Sequence, residues 1–135
     1  MEKKKRTKLK DRTLPDYTRG EEIFNMVSHI VGGALAIAAL VLCVIFSALK
    51  GDPWAVVASA VYGGTMVALY AMSSIYHGLT AQGAKKVFQV IDHCTIYFLI
   101  AGTYTAITLA GIRVNHPVIA FVIFGIVWAC CLGAA

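Results

Sequence analysis

Polar and ionisable residues lie near the ends of two long apolar segments. Burying such side chains in a membrane costs free energy, so their presence there indicates a function or a specific partner. The first segment begins with Glu22, Asn25 and His29, and spacings of three and four residues place them along one face of a helix. The second segment ends with Ser73 and His77, which are four residues apart and therefore also share a helix face. Both groups combine hydrogen-bonding and metal-ligating side chains.

A third polar group opens the next apolar segment with Asp92, His93 and Thr95. Helices that cross a membrane in alternating directions bring these three segment ends to one depth, near the inner leaflet. The outer halves of the first two segments are almost purely Ala, Val, Leu and Ile. This asymmetry favours a site that opens toward the cytoplasm or inner leaflet, because a pore distributes polar residues along its full depth.

The chemistry that suits this group is metal binding. Neutral imidazole binds zinc well, and a nearby carboxylate can orient the ligand or hold the metal-bound water. Bound zinc lowers the pKa of that water to about 7, which supplies hydroxide for hydrolysis. His77 is a candidate ligand with Asp92 and His29 close by, but neither an HxxxH nor an HExxH pair occurs in the sequence.

Each residue also has a plain structural interpretation, and these alternatives stay open. Glu22 suits the first turn of a helix, where the dipole favours an acid. Ser73 can bond back to a carbonyl one turn earlier, and Asp92 can cap the amino terminus of the third helix. A single histidine near a helix end, such as His77, is commonly an interfacial side chain bonded to backbone or water.

The elements that position these residues are four apolar runs. Hydrophobic residues make up 59% of the chain and charged residues 14%. A helix needs about 20 residues to cross a hydrocarbon core of about 30 Å, and backbone polar groups in lipid must be satisfied internally. We therefore predict an all-α polytopic membrane helix bundle of about four transmembrane helices. The predicted spans are residues 23–49, 54–76, 91–110 and 117–135.

The segments between the spans are predicted to be turns and loops. Residues 1–20 are predicted to form a basic, disordered cytoplasmic tail, and residues 21–135 a transmembrane helical domain. Asp52 suits an N-cap and Pro53 the first helical position of the second span. Residues 78–90 are predicted to be a polar loop, and Pro117 to open the fourth helix.

The basic residues set the orientation. Eight of the twelve Lys and Arg residues precede Ile23, and Lys85 and Lys86 fall on the same side, against Lys50 and Arg113 on the other. This bias predicts a multi-pass protein of the cell membrane with a cytoplasmic amino terminus. A basic tail before a hydrophobic body indicates contact with anionic lipid and argues against a nucleic-acid partner.

Three ordered motifs resemble a known family. E-I-F-N-M-V-S-H at residues 22–29 resembles the E-x2-N-x3-H motif of the progestin and adipoQ receptor family, and S-S-I-Y-H at 73–77 resembles its S-x3-H motif. D-H at 92–93 with the downstream residues 96–105 is similar to the bacterial branch, hemolysin III. The resemblance runs from about residue 21 to the end of the chain.

The resemblance implies a seven-helix fold with a zinc site near the cytoplasmic side, of which this chain resembles the first four helices. It implies that His77 is a zinc ligand, that Asp92 holds the zinc-bound water and that Ser73 supports them as a second catalytic residue. The first motif is expected to surround this centre with Glu22, Asn25 and His29. The remaining ligands are expected from an H-x3-H pair on a last helix that this sequence lacks.

Three functions follow as competing hypotheses. The first is a zinc-dependent hydrolase that acts on a lipid-like amide or ester from the cytoplasmic side. The second is a non-catalytic membrane-homeostasis or receptor-like protein with structural zinc, and the third is a pore-forming cytolysin. All three have the lipid bilayer as a partner, and the sequence specifies neither the substrate nor an oligomeric state.

Overall fold

The computed structural model describes residues 7–135, and this part of the chain is helical without strands. Four helices are long and apolar enough to cross a membrane, which confirms the predicted all-α fold class. A short 3-10 turn at Leu9–Asp11 precedes them. The helices are α1 (Arg19–Leu49), α2 (Pro53–Gly78), α3 (Gln82–Asn115) and α4 (Pro117–Ala134).

Capping interactions define where the first two helices begin. Thr18 and Glu21 form a capping box at α1, in which the Thr18 amide donates to the Glu21 carboxylate at 2.8 Å. Asp52 caps α2 by accepting from the Trp54 amide at 3.0 Å, with Pro53 in the first turn, as the sequence predicts. The turn before it contains Gly51 at φ 71°, a conformation that glycine adopts without steric cost.

The predicted loop at residues 78–90 is wrong over most of its length. The connection between α2 and α3 spans only residues 79–81, and the chain is helical from Gln82. The polar residues Lys85 and Gln89 lie one helical turn apart and are both buried, because they face other helices and not water. The predicted disordered tail falls partly outside the described residues, at 1–6, and its last residues, Arg19 and Gly20, belong to α1.

The third helix also continues beyond its predicted end at residue 110. Residues Ala106–Ile112 form a π-helical segment, which widens the helix without ending it. Just before it, the Trp128 indole N–H of α4 donates to the Thr105 hydroxyl at 2.9 Å, so the two helices are joined by a partly buried hydrogen bond. Pro117 begins α4, as predicted.

The helices pack in sequential order, α1 along α2, α2 along α3 and α4 along α3. Small residues line these contacts, as is typical of membrane helices, whose backbones approach closely there. Four alanines are almost completely buried: Ala36, Ala58, Ala101 and Ala120. A Cβ atom at Gly63 would overlap Leu40, and one at Gly102 would overlap Thr65, so both glycines mark places of close approach.

An ion pair joins the helices at the end of the bundle opposite the polar site. Arg113 donates to both oxygens of Asp52 at 3.1 Å, and its guanidinium lies 5.3 Å from the centre of the Trp54 ring. The Trp54 ring in turn makes an edge contact with Phe121 of α4. These contacts tie the start of α2 to the end of α3 and hold the helix ends in register.

Candidate functional site

The centre of the candidate site is the carboxylate of Glu22, on the first turns of α1. Its Oε2 lies 2.6 Å from Nδ1 of His77 on α2, and its Oε1 lies 2.6 Å from Nζ of Lys85 on α3. The three side chains are only 9–16% exposed. We call Glu22, His77 and Lys85 the charged network; it connects three helices at one end of the bundle.

Tyr76 packs beside the charged network. Its ring centre lies 4.8 Å from that of His77 and 5.2 Å from Nζ of Lys85, which places the ammonium over the aromatic face. Tyr76 is only 3% exposed, and its hydroxyl has no hydrogen-bond partner among residues 7–135.

His29, the last residue of the first motif, lies next to His77. The His29 ring centre is 5.8 Å from that of His77. Nδ1 of His29 is 2.6 Å from the backbone carbonyl of Asn25, and since a carbonyl only accepts, this nitrogen carries the hydrogen. Asn25 therefore contributes its backbone to the orientation of His29, while Glu22 contacts His77 directly.

Ser73 and Asp92 lie deeper than the charged network. Ser73 is 4% exposed and one turn from His77, and the bond to a backbone carbonyl in this part of α2 is made by Ser74, at 2.7 Å to Tyr70. Asp92 lies in the middle of α3, so its alternative role as an N-cap is wrong. Its half-buried carboxylate forms no ion pair with any of residues 7–135.

A pocket of about 520 Å³ opens beside the charged network, whose three residues line one wall. Apolar side chains also contribute to the lining: Leu14, Ile23, Met26 and Leu79. Residues 14–17, which precede α1, also border the pocket, and the Tyr17 ring centre lies 5.9 Å from that of His77. Neither Ser73 nor Asp92 is part of the lining.

The surroundings of His77 fit those of a zinc ligand. Metal-ligating histidines usually donate their second ring nitrogen to a carboxylate, which fixes the ring and its tautomer. Glu22 occupies Nδ1 of His77 in this way, which leaves Nε2 free to coordinate a metal. Among residues 7–135, however, no three His, Cys, Asp or Glu side chains come close enough together to hold a metal ion, so a closed centre needs further donors.

Two residues of the site were not identified from the sequence. The sequence pattern places Lys85 in a loop, where it bears only on orientation, and it assigns no role in the site to Tyr76, which lies between Ser73 and His77. The signal that could have found Lys85 is its spacing to Gln89 and Asp92, four and seven residues further on, which is the period of one helix face.

Comparison with known proteins identifies related chains. A family profile described as "Haemolysin-III related" matches residues 17–135. The chain is 38% identical over 117 residues to "Hemolysin-3 homolog" of Bacillus subtilis (strain 168), which covers 87% of this chain and 54% of that protein. It is 38% identical over 113 residues to "Hemolysin-3" of Bacillus cereus, covering 84% of this chain and 50% of that protein.

The chain therefore spans about half the length of these curated relatives. No solved structure matches it significantly.

Proposed function

The chain belongs to the haemolysin-III-related family, and on that premise we propose that this membrane protein contributes His77 to the zinc site of a hydrolase. The substrate is a lipid-like amide or ester that enters from the cytoplasmic side. These helices would supply the pocket, the charged network and one zinc ligand.

The observation that carries the proposal is the 2.6 Å contact between Glu22 and Nδ1 of His77. A carboxylate on the second nitrogen raises the basicity of a ligating imidazole and fixes its direction. An interfacial histidine without such a role would more simply bond water or backbone, as His93 does through the carbonyl of Gln89 at 2.6 Å.

Four residues of this chain have distinct roles in the proposed hydrolysis. His77 would hold the metal through Nε2, and Glu22 fixes the ring through Nδ1. When bound, zinc supplies Lewis acidity toward water and the scissile carbonyl. Asp92, whose carboxylate is free of any ion pair within residues 7–135, is the candidate to accept a proton from the attacking water. Ser73, buried one turn from His77, is the candidate hydrogen-bond donor that supports it.

The pocket supports an amphiphilic substrate. Its lining combines the charged network with the apolar side chains of Leu14, Ile23 and Met26, so a headgroup with an attached chain finds matching surfaces. Ligand pockets commonly combine an apolar lining with a few placed polar groups in this manner. A lipid-like amide or ester has this combination of parts.

Hydrolysis is tested with the native protein in liposomes that carry defined acyl amides and acyl esters, with and without a zinc chelator. We expect release of free fatty acid that the chelator stops and added zinc restores. The variant Asp92→Asn should lose most of the activity and keep its zinc. Chelator-insensitive release, or none from zinc-loaded protein, would contradict the proposal.

One observation favours a second function, a non-catalytic receptor-like protein. The charged network connects α1, α2 and α3 and stabilises their arrangement with or without turnover. In that case zinc would act as a structural brace. Full zinc occupancy together with no hydrolysis of any tested inner-leaflet lipid would support this second function over the first.

A further inference from the structure

Lys85 is the most buried charged residue in the part of the chain that the structure describes, with 8% of its surface exposed. A buried ammonium is expensive unless it is paired and hydrogen-bonded. Lys85 has Glu22 Oε1 at 2.6 Å, the carbonyl of Leu79 at 3.2 Å and the face of Tyr76 at 5.2 Å. These three partners hold its ammonium in one place.

The position of Lys85 determines the orientation of Glu22. The two carboxylate oxygens have separate partners, because Oε1 accepts from Lys85 and Oε2 from Nδ1 of His77. With Oε1 held, the carboxylate plane cannot rotate away from the imidazole. A carboxylate only accepts hydrogen bonds, so Nδ1 of His77 carries the hydrogen and Nε2 of the neutral ring carries none.

We propose that Lys85 is a positioning residue, which acts through Glu22 to hold His77 in the Nδ1–H tautomer with a bare Nε2. The inference deepens the proposed function, since it explains how the chain prepares the nitrogen that would coordinate the metal. It rests on geometry that exists without metal, so it has a test of its own.

The test is the tautomer of His77, measured by ¹⁵N NMR of metal-free protein in lipid nanodiscs at one fixed pH at which the ring is neutral. In the unchanged protein we expect the Nδ1–H form to dominate by at least roughly tenfold, the ratio that a hydrogen bond to a charged group provides. Lys85→Met should bring the ratio close to that of a free imidazole, and Lys85→Arg should retain the preference.

The matched control is Lys86→Met. Lys86 is the neighbouring lysine, and its Nζ bonds the carbonyl of Lys10 at 3.1 Å, outside the charged network. This variant should leave the tautomer of His77 unchanged. If folded Lys85→Met also leaves the tautomer unchanged, Lys85 has no positioning role and the inference is overturned.

A measurement on the unchanged protein covers the case in which Lys85→Met does not fold. The ammonium hydrogens of Lys85 should exchange with water more slowly than those of Lys86, and equally fast exchange would overturn the inference. The result of the tautomer test is independent of whether the proposed hydrolase function holds. A protein that binds no zinc but keeps the tautomer preference loses the hydrolase proposal and retains the role of Lys85.

Discussion

At the scale of single residues, the site depends on one carboxylate with two partners. Glu22 is a first-turn acid, as the helix dipole favours, but its contacts with His77 and Lys85 give it a further role. Its neighbour Glu21 has only the capping role, through its bonds to Thr18. Substituting each of the two adjacent glutamates in turn therefore distinguishes a role in the site from a role in helix capping.

The first prediction concerns Glu22→Gln. Because the amide is a weaker acceptor for His77 and no longer neutralises Lys85, zinc affinity of the native protein should fall by about 10- to 100-fold. Competition with a fluorescent zinc chelator measures this change. Glu21→Gln keeps the capping box and should bind zinc as the unchanged protein does. Equal zinc affinities of the two variants would show that Glu22 is not part of the zinc site.

Two of the three residues of the charged network, Glu22 and His77, could be predicted from the sequence. Glu22, His29 and His77 could be placed at one depth because helical spacing and alternating span direction suffice for that. Lys85 could not be placed there, because a polar segment next to a transmembrane span resembles a loop when the helices that bury it are unknown. The buried contact between Lys85 and Glu22 is a tertiary contact. It forms only because α1 and α3 both pack against α2.

At the scale of elements, small residues allow the helices to approach. Gly63 and Gly64 are neighbours on α2 that face different surroundings. A methyl group at Gly63 would overlap the Leu40 side chain of α1, including its Cβ, whereas one at Gly64 would meet nothing within 4 Å. The pair provides a direct comparison of a packed and an open position.

The second prediction follows from this pair. Gly63→Ala should destabilise the bundle by about 1–3 kcal/mol, because the added methyl group forces α1 and α2 apart. Gly64→Ala should be neutral or stabilising by up to about 1 kcal/mol, since alanine favours the helix. Free energies of unfolding in mixed micelles provide the comparison. A Gly63→Ala variant as stable as Gly64→Ala would show that this contact is loose.

The third prediction concerns the segment before α1. Residues 14–17 border the pocket, and Tyr17 packs against His77. Tyr17→Ala should therefore expose His77 and raise its rate of modification by diethyl pyrocarbonate. His116, which is exposed between α3 and α4, serves as the internal reference in the same sample. An unchanged ratio of the two rates would show that the segment does not cover the pocket.

Helix boundaries were predictable where local chemistry sets them. Asp52 with Pro53, and Pro117, mark the starts of α2 and α4 in the sequence. The end of α3 was not predictable, because the π-helical segment Ala106–Ile112 continues the helix through a glycine that normally indicates a turn. The ion pair between Arg113 and Asp52, sixty-one residues apart, helps to hold that extension in place.

At the scale of the whole molecule, all contacts of the site lie at one end of the helices, and the bias in basic residues predicts that this end faces the cytoplasm. Thr80, in the connection between α2 and α3, borders the pocket. Lys50 lies at the opposite end, after α1. These two positions therefore report on the two sides of the membrane.

The fourth prediction uses single cysteines at these positions in a background whose four native cysteines are replaced. In intact cells Lys50→Cys should react with a membrane-impermeant maleimide, and Thr80→Cys should react only after the membrane is opened. The reverse pattern would place the pocket outside the cell. Reaction of both in intact cells would show that residues 50 and 80 do not lie on opposite sides.

At the centre of the proposed function, His77, held by Glu22, acts as a zinc ligand. The most direct measurement is the zinc content per chain of the native protein, of His77→Ala and of His93→Ala, each purified without chelators and checked for folding. His93 is the matched control, because it is exposed on α3 and its Nδ1 bonds the backbone carbonyl of Gln89 in the same helix. We predict about one zinc in the native protein and in His93→Ala, following the single-ion stoichiometry of such sites, and none in His77→Ala. Stoichiometric zinc retained by folded His77→Ala would contradict the central claim.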